Sequence, residues 1–323
     1  MNNIKNKKVN KQNWSKINYG KIKQITFLVD VNTFSSEKER LNSLNKNKPG
    51  RRFLYSDRLI ELLIDFKNYF KMDYRKLQAF CLLFFNKVIN LKTPDYTTIC
   101  RRMNKLELTL KNIKHKRKPT FIAIDASGLE TTNRGEWLRL VHKNGKINRR
   151  NGFVKIVIGV DIDTGEITGV SVLDDSQHET KGLKEIIAQT IQNQNQEIKG
   201  ILGDGGYDNY EVFEMLDDLK IDPIIKVRKN ACRTQPIYNS YKDRRRKLGE
   251  KTEKKRIDVA KEQLEDKDKW IKRKGYNRRW KVEYTFSVFK RLFGNNIYTK
   301  KKQNVVNEII SKVNLYNKMK NIC

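Results

Sequence analysis

The feature of this sequence that most constrains its fold is a change of periodicity at residue 121. Residues 121–124 form a continuous apolar run that predicts a buried strand ending at Asp125. Residues 154–162 alternate at period two, and a Thr-Gly turn at 164 leads into a second alternating run over residues 167–172. These patterns predict a β-hairpin, so the chain contains a sheet.

Helical and strand patterns alternate after this hairpin. A helical pattern over residues 183–191 precedes a short strand that ends, through Gly203, at Asp204. A second helical pattern over residues 212–219 precedes a strand at residues 223–227. Strands first in a meander and then alternating with helices predict an α/β fold, a mixed sheet flanked by helices. The positions expected to face inward are Leu183, Ile186, Ile187, Ile191, Val212, Phe213, Leu216 and Leu219.

The pattern between residues 56 and 108 is helical. Ser56, Asp73 and Asp95 are suited to cap three successive helices. Several short helices ending in a basic one resemble a helix-turn-helix that reads DNA. A small helical bundle whose charges face water would give the same pattern. The basic side chains expected to contact DNA are Arg101, Arg102 and Lys105.

The charge balance indicates a polyanionic partner. The chain has 69 Lys and Arg against 37 Asp and Glu, a formal charge of +32. Nucleic acid fits this excess better than a membrane, because the longest apolar run, residues 79–85, is far shorter than the ~20 residues of a spanning helix. The alternative is a generally basic, soluble protein without a specific partner.

Cysteine and leader patterns bear on compartment and metal chemistry. The four cysteines are scattered without a Cys-x-x-Cys pair, so a zinc site is not expected. The first 24 residues are rich in Asn and Lys and lack the apolar core of a signal peptide. We expect a cytoplasmic protein, associated with the nucleoid of a prokaryotic cell.

Composition shifts divide the chain into five segments. We expect a flexible basic arm at 1–50, a helical DNA-binding domain at 51–118 and the first part of the sheet domain at 119–230. An irregular basic insertion at 231–275 precedes the second part of the sheet domain at 276–323. The insertion is interpreted as facing DNA, although a solvated charge run with no specific role would have the same composition.

A cluster of motif residues follows the insertion. At about 100° per residue on one helix, Tyr276, Arg279, Glu283 and Lys290 fall within a sector of about 60°. An apolar stripe beside this face would fix the helix against the sheet and hold Glu283 at the boundary with solvent. The stripe consists of Val282, Phe286, Phe289 and Phe293.

Asp125, Asp204 and Glu283 could together bind divalent metal. Three carboxylates within ~4 Å repel by about 4 kcal/mol per pair at an effective dielectric of ~20, so such a cluster requires a cation. Oxygen ligands select Mg²⁺ or Mn²⁺, and two ions ~3.5–4 Å apart suit phosphodiester cleavage. In the alternative, the aspartates are ordinary polar residues at strand ends and Glu283 pairs with Arg279 on a solvated helix.

The motif residues fit Tyr-x2-Arg-x3-Glu-x6-Lys, which resembles the signature of DDE transposases of the insertion-sequence four and five superfamily. The surrounding Arg-Trp-Lys-Val-Glu-Tyr-Thr-Phe is similar to the insertion-sequence-five branch. The contexts Ile-Asp125-Ala-Ser-Gly and Gly-Asp204-Gly-Gly-Tyr-Asp resemble those of the family's first two acids. The similarity runs from about residue 50 to about residue 295, and Gly205 departs from the Lys that is commoner in the family.

The resemblance implies an RNase H-like catalytic fold. It implies that Asp125, Asp204 and Glu283 are catalytic and bind two Mg²⁺ or Mn²⁺ ions. It also implies that DNA phosphates contact the other motif residues, Tyr276, Arg279 and Lys290. The implied activity is cut-and-paste transposition, in which a DNA-assembled homodimer binds terminal inverted repeats, cleaves the strands and joins them to target DNA.

His178 is a further candidate residue of the site. His178 matches a His often found after the corresponding strand of the family, and capping or support of the site is favoured over direct catalysis.

One alternative function is that of a catalytically silent DNA-binding protein derived from a transposase. Another is a different RNase H-like nuclease. Inverted repeats flanking the coding region would favour the transposase over both.

Overall fold

A five-stranded mixed sheet forms the centre of the C-terminal two thirds of the chain. The computed structural model describes residues 14–28, 34–85, 92–111, 120–131, 139–143, 146–150, 152–194, 197–228, 250–299 and 301–321. The strands are β1 Thr120–Glu130, β2 Arg139–Lys143, β3 Lys146–Arg150, β4 Phe153–Asp161, β5 Ile167–Asp174, β6 Ile198–Gly203 and β7 Asp222–Ile225.

The sheet has the strand order β5-β4-β1-β6-β7, and β2 and β3 form a separate hairpin. β4 pairs antiparallel with both β1 and β5, whereas β6 pairs parallel with both β1 and β7. This confirms the predicted α/β fold with a mixed sheet flanked by helices, and it is consistent with an RNase H-like arrangement.

Eleven α-helices are found in the described residues. They are α1 Trp14–Leu28, α2 Glu37–Asn45, α3 Asp57–Tyr69, α4 Tyr74–Phe84, α5 Tyr96–Lys105, α6 Leu183–Gln194, α7 Tyr210–Asp218, α8 Glu250–Glu265, α9 Lys267–Lys274, α10 Trp280–Phe293 and α11 Lys302–Lys320. The three predicted caps are confirmed, since Ser56, Asp73 and Asp95 each accept a hydrogen bond from a backbone N–H in the first turn of α3, α4 and α5.

The N-terminal segment is more ordered than the flexible arm predicted for residues 1–50. α1 and α2 lie within it, although residues 1–13 are outside the described part. Phe34 is buried, and the buried carboxylate of Glu37 accepts hydrogen bonds from Ser56 N at 2.7 Å and Ser56 Oγ at 2.6 Å. Residues 34–45 therefore pack on the helical domain, because this buried carboxylate has its partners there.

The segment predicted as an irregular insertion at 231–275 contains regular structure. α8 and α9 occupy residues 250–274, and residues 229–249 lie outside the described part. Asp266 caps α9, and Gly275 ends it in the left-handed region with φ 65°. Arg256, one of the basic residues of this segment, is buried rather than exposed. The prediction of irregularity was wrong because both helices carry too few apolar residues to give a clear period.

Two apolar clusters cover opposite faces of the sheet. The first joins α10, α11 and the helical domain to the face of β1 that includes Ala123. The second joins α6 and α7 to the face that includes Ile122 and Ile124. The apolar stripe of α10 is buried as predicted, but Ile191 and Leu219, expected to face inward, are 44% and 46% exposed. Both lie in the last turn or at the end of their helices.

Candidate active site

The register of two parallel strands brings Asp125 and Asp204 together. The last pair of the β1–β6 ladder is Ala123 with Leu202, and each aspartate lies two residues farther on. Asp125 does not end its strand as predicted, because β1 continues to pair with β4, where Asp125 lies opposite Ile158. Since side chains alternate along a strand, Asp125 shares the face of Ala123, which α10 covers.

Backbone N–H groups hold both aspartates. Ala126 N donates to Asp125 Oδ1 at 2.9 Å, and Gly206 N donates to Asp204 Oδ1 at 2.8 Å. Asp204 caps a short 3₁₀ turn formed by residues 205–207. The two carboxylates are therefore oriented by the backbone that immediately follows each of them.

Arg279 connects the first acid to the third. Its guanidinium lies 3.9 Å from Asp125 Oδ2 and forms an ion pair with Glu283, one turn later. Arg279 also interacts electrostatically with Asp204. The Arg279–Glu283 pair that the alternative interpretation expected is present, and the same arginine also pairs with Asp125.

The sequence predicted that the four motif residues lie on one α-helix, and this prediction was wrong. Tyr276 and Arg279 belong to a 3₁₀ turn, and α10 begins at Trp280. Gly275, in the left-handed region, ends α9 immediately before this 3₁₀ turn. Lys290 lies two turns beyond Glu283, or about 10 Å along the helix axis.

Burial and neighbouring charges alter the pKa of Asp125. Burial raises the pKa of Asp125, and Asp204 and Glu179 raise it further, against the opposing effects of the Ala126 N–H and Arg279. Burial is therefore the main cause of the raised pKa of Asp125, and the two neighbouring carboxylates add to it.

The neighbouring acids also alter the pKa of Arg279. Burial alone would lower the pKa of Arg279, but Tyr276, Glu283, Asp125 and Asp204 together raise it. Arg279 therefore remains a cation among these groups. Burial raises the pKa of the Tyr276 hydroxyl, which stays protonated as a hydrogen-bond donor.

Glu179 is a fourth acid at this site that the sequence analysis missed. Its carboxylate lies against Gly206, so closely that a Cβ at Gly206 would collide with Glu179 Oε1. It also influences the pKa of Asp125 and of the buried Tyr207. The available signal was its position after β5, beside His178.

His178 has a capping role in the structure. It precedes the 3₁₀ helix Glu179–Gly182 and accepts a hydrogen bond from the backbone N–H of Thr180. Its Nδ1 also lies 3.0 Å from Thr180 Oγ1. The cap helps to fix the start of the segment that carries Glu179.

A buried ion pair anchors the turn that carries Asp204. Arg256 Nε donates to Asp208 Oδ1 at 2.8 Å, and Arg228 N donates to Asp208 Oδ2 at 3.0 Å. Arg228 Nε also donates to the carbonyl of Gly205 at 3.3 Å. The sequence analysis assigned Arg256 to a DNA-facing run and so missed this role in positioning the turn.

The basic side chains of α5 differ in their surroundings. Arg101 and Lys105 are exposed. Arg102 donates to the Tyr55 carbonyl at 3.2 Å and forms an ion pair with Asp57, so its charge links α5 to α3. Only the first two have side chains directed into solvent.

The carboxylates are ligands of the type that divalent metal ions prefer, but the three side chains are not grouped around one point. Within the described ranges, no three His, Cys, Asp or Glu side chains are grouped tightly enough to hold a metal ion. Asp125 and Asp204 nevertheless offer hard oxygen donors at the ends of the β1–β6 ladder, the kind of ligand that Mg²⁺ and Mn²⁺ prefer. Glu283 would join them by exchanging its contact with Arg279.

Comparison with known families identifies the domain. The family model described as a transposase DDE domain matches residues 116–318, well over half of the chain. The chain belongs to the DDE transposase family. A second transposase DDE domain model matches residues 23–134, which include helices α2 to α5 and all of β1. No curated protein matches the transposase chain. None of its described helices has the length and apolar character needed to span a bilayer.

Proposed function

We propose that this transposase belongs to the insertion-sequence four and five superfamily and catalyses cut-and-paste transposition. It binds the terminal inverted repeats of its element, cleaves the strands and joins the freed 3′ ends to target DNA, acting as a homodimer on DNA. The observation that supports the proposal is that Arg279 pairs with Asp125 and Glu283 and interacts electrostatically with Asp204.

Asp125, Asp204 and Glu283 would hold two Mg²⁺ or Mn²⁺ ions. Bound metal would supply an activated oxygen nucleophile and stabilise the leaving oxygen of the phosphodiester. The backbone N–H groups of Ala126 and Gly206 keep two of the carboxylates oriented for this task. Preorganisation of this kind lowers the cost of assembling the reactive geometry.

Tyr276, Arg279 and Lys290 would bind the phosphates of the element end. When Glu283 turns to metal, Arg279 becomes free to make bidentate hydrogen bonds with a phosphate beside the scissile bond. Tyr276 donates its hydroxyl proton at neutral pH, since burial raises its pKa. Lys290 would reach a phosphate farther along the strand, because it lies two helical turns from Glu283.

The helical domain would contribute further DNA contacts. Arg101 and Lys105 on α5 are exposed and can meet the backbone or bases of the repeat. Arg102 would support them by fixing α5 on α3 through its pair with Asp57.

The test begins with the DNA that flanks the gene, from which a labelled duplex bearing the inverted repeat is prepared. Asp125→Asn, Asp204→Asn and Glu283→Gln should each abolish strand cleavage in Mg²⁺ while leaving the mobility shift of the duplex intact. Exposed acids changed in the same way, Asp218→Asn and Glu185→Gln, serve as matched controls and should cleave normally.

Two results would overturn the assignment. Cleavage that persists in all three site variants would remove these acids from catalysis. A wild-type protein that shifts the duplex but never cuts it, in Mg²⁺ or Mn²⁺, would be a silent DNA-binding protein instead.

A further inference from the structure

A cavity of about 570 Å³ lies between the helical domain and the segment that joins α10 to α11. Its volume falls within the range of about 300–1,000 Å³ that is typical of small-molecule sites. None of the four acids of the active site lines it. The lining residues are Lys67, Lys71, Met72, Asp73, Tyr74, Lys76, Cys100, Asn104, Tyr298, Thr299, Lys301 and Asn304.

The lining is strongly basic. It contains four lysines and a single acid, Asp73. Asp73 caps α4 and lies 3.8 Å from Lys76, and both side chains are largely exposed at the rim. The remaining lysines, Lys67, Lys71 and Lys301, leave a positive potential inside the cavity that favours an anionic ligand.

Lys67 is built into the wall of this cavity. Its side chain is only 4% exposed, and its ammonium lies 5.0 Å from the centre of the Tyr74 ring. Behind it, the buried Glu308 accepts a hydrogen bond from the buried Lys312 at 2.8 Å. Glu308 also acts electrostatically on Lys67, so one buried carboxylate faces two buried lysines, and an anion at Lys67 would balance the remaining positive charge.

Apolar groups lie beside these charges. Tyr74 and Met72 line the cavity, and the Tyr298 side chain is 66% exposed at the same site. An exposed aromatic ring beside a basic cavity is suited to stack on a nucleobase. The ligand that satisfies both features carries a negative charge and a flat ring.

We propose that this cavity binds a nucleotide, with its phosphate at Lys67 and its base against Tyr298. The nucleotide is either free or an unpaired unit of a DNA strand, since both present the same groups. The site is separate from the DDE acids, so the proposal does not depend on their role in catalysis.

Binding of dAMP to the full-length protein, followed by calorimetry, tests the proposal. We expect dAMP to bind more tightly than deoxyadenosine or inorganic phosphate. Lys67→Met and Tyr298→Ala should each weaken binding about tenfold or more, the scale of one charge-assisted or stacking contact. The exposed residues Lys184 and Tyr19 provide matched controls as Lys184→Met and Tyr19→Ala, which should bind dAMP normally.

The same variants distinguish the two sources of the nucleotide. Weaker binding of dAMP in both variants assigns the cavity to a free nucleotide. Weaker binding of a single-stranded oligonucleotide, in a protein that does not bind dAMP, assigns it to an unpaired unit of DNA. Unchanged affinity for both probes in both variants overturns the proposal, as does inorganic phosphate that binds as tightly as dAMP.

Cys100 gives a readout that needs no substitution. Its side chain is partly exposed and lines the cavity, whereas Cys81 is buried in the helical core. Bound dAMP or oligonucleotide should slow the alkylation of Cys100 by iodoacetamide, measured on the Cys100 peptide by mass spectrometry. An alkylation rate that neither probe changes contradicts occupation of the cavity.

Discussion

Arg279 supplies the positive charge that lies beside the acids of this site. It contacts Asp125 and Glu283 and acts electrostatically on Asp204. An arginine in this position has two consequences. It offsets the repulsion between carboxylates, and it is placed to move to a phosphate when the carboxylates take another partner.

Replacing Arg279 by Gln should lower strand cleavage by about 10²-fold or more, the scale of losing one preorganised charged donor. The matched control is Arg278→Gln, a neighbouring arginine whose guanidinium pairs with the exposed Asp163 at 3.5 Å and lies over the Phe121 ring. Cleavage of the labelled duplex measures the effect, and thermal unfolding verifies that both variants fold. Equal losses in the two variants would contradict a specific role for Arg279.

At this scale the sequence predicted part of the site. The two aspartates and Glu283 were visible as acids after apolar strands and in a spaced motif. Glu179 was not predicted, because its position beside His178 does not reveal the contact with Gly206 that brings it to the site. The shared face of Tyr276 and Glu283 was derived for a continuous α-helix, whereas residues 276–279 form a 3₁₀ turn and α10 begins at Trp280.

Among the elements, β5 and α6 make an unusually close contact. A Cβ at Gly169 would lie 2.7 Å from the Ile186 carbonyl oxygen and 2.9 Å from Ile186 Cα. Both atoms are backbone, so the contact can be relieved only by moving α6 away from the sheet. The glycine therefore sets the distance between a helix and the strand it covers.

Gly169→Ala should destabilise the protein by about 1–3 kcal/mol, the usual cost of overpacking a well-packed core. Gly128→Ala is the control, since a Cβ there would meet only the Phe153 ring at 3.4 Å, close to ordinary contact distance. Urea unfolding followed by circular dichroism compares the two. A Gly169 variant as stable as the Gly128 variant would show that α6 adjusts freely.

The buried charges of α11 predict a dependence of stability on pH. Burial alone would raise the pKa of Glu308, but Lys312 and Lys67 lower it below its ordinary value of 4.5. A carboxyl whose pKa is lowered by folding contributes stability that is present above its unfolded pKa. That contribution is lost as the pH falls through the lowered value.

Glu308→Gln should therefore cost about 3 kcal/mol at pH 7, where it leaves two buried ammonium groups without a carboxylate. The difference from wild type should shrink as the pH falls below 4.5 and the wild-type carboxyl takes up a proton. Urea unfolding at pH 7 and at successively lower pH measures it, with Glu185→Gln as the exposed control. A difference that does not change with pH would contradict the lowered pKa.

The sequence indicated elements according to how much apolar surface each one buries. The hairpin β4–β5 and the capped helices α3 to α5 were predicted, because their periods and caps are local signals. α2, α8 and α9 were not, because they are polar and depend on contacts made elsewhere in the chain. Tertiary packing, rather than local pattern, explains these helices.

The whole molecule carries a charge of +32 over 323 residues. A charge of this size makes association with DNA fast and strongly dependent on ionic strength. The local structure decides which cations are available, because Arg102 and Arg256 are engaged with Asp57 and Asp208. Counting basic residues therefore overestimates the number that can meet phosphate.

The salt dependence of DNA binding should identify the lysines and arginines that contact phosphate. Arg101→Gln and Lys105→Gln should each lower the slope of log K against log salt by about 1. The control is Lys184→Gln, on the exposed side of α6, which should leave the slope unchanged. Fluorescence anisotropy between low and moderate salt measures the slopes, and unaltered slopes in both α5 variants would remove α5 from the interface.

The parallel register of β1 and β6 also bears on how such a chain can change during evolution. Two acids are fixed by hydrogen bonds between neighbouring strands, and the third by the packing of α10 on the same sheet. The length of chain between β7 and α8 enters neither constraint. Extra segments can therefore be gained or lost there without disturbing the placement of the three acids.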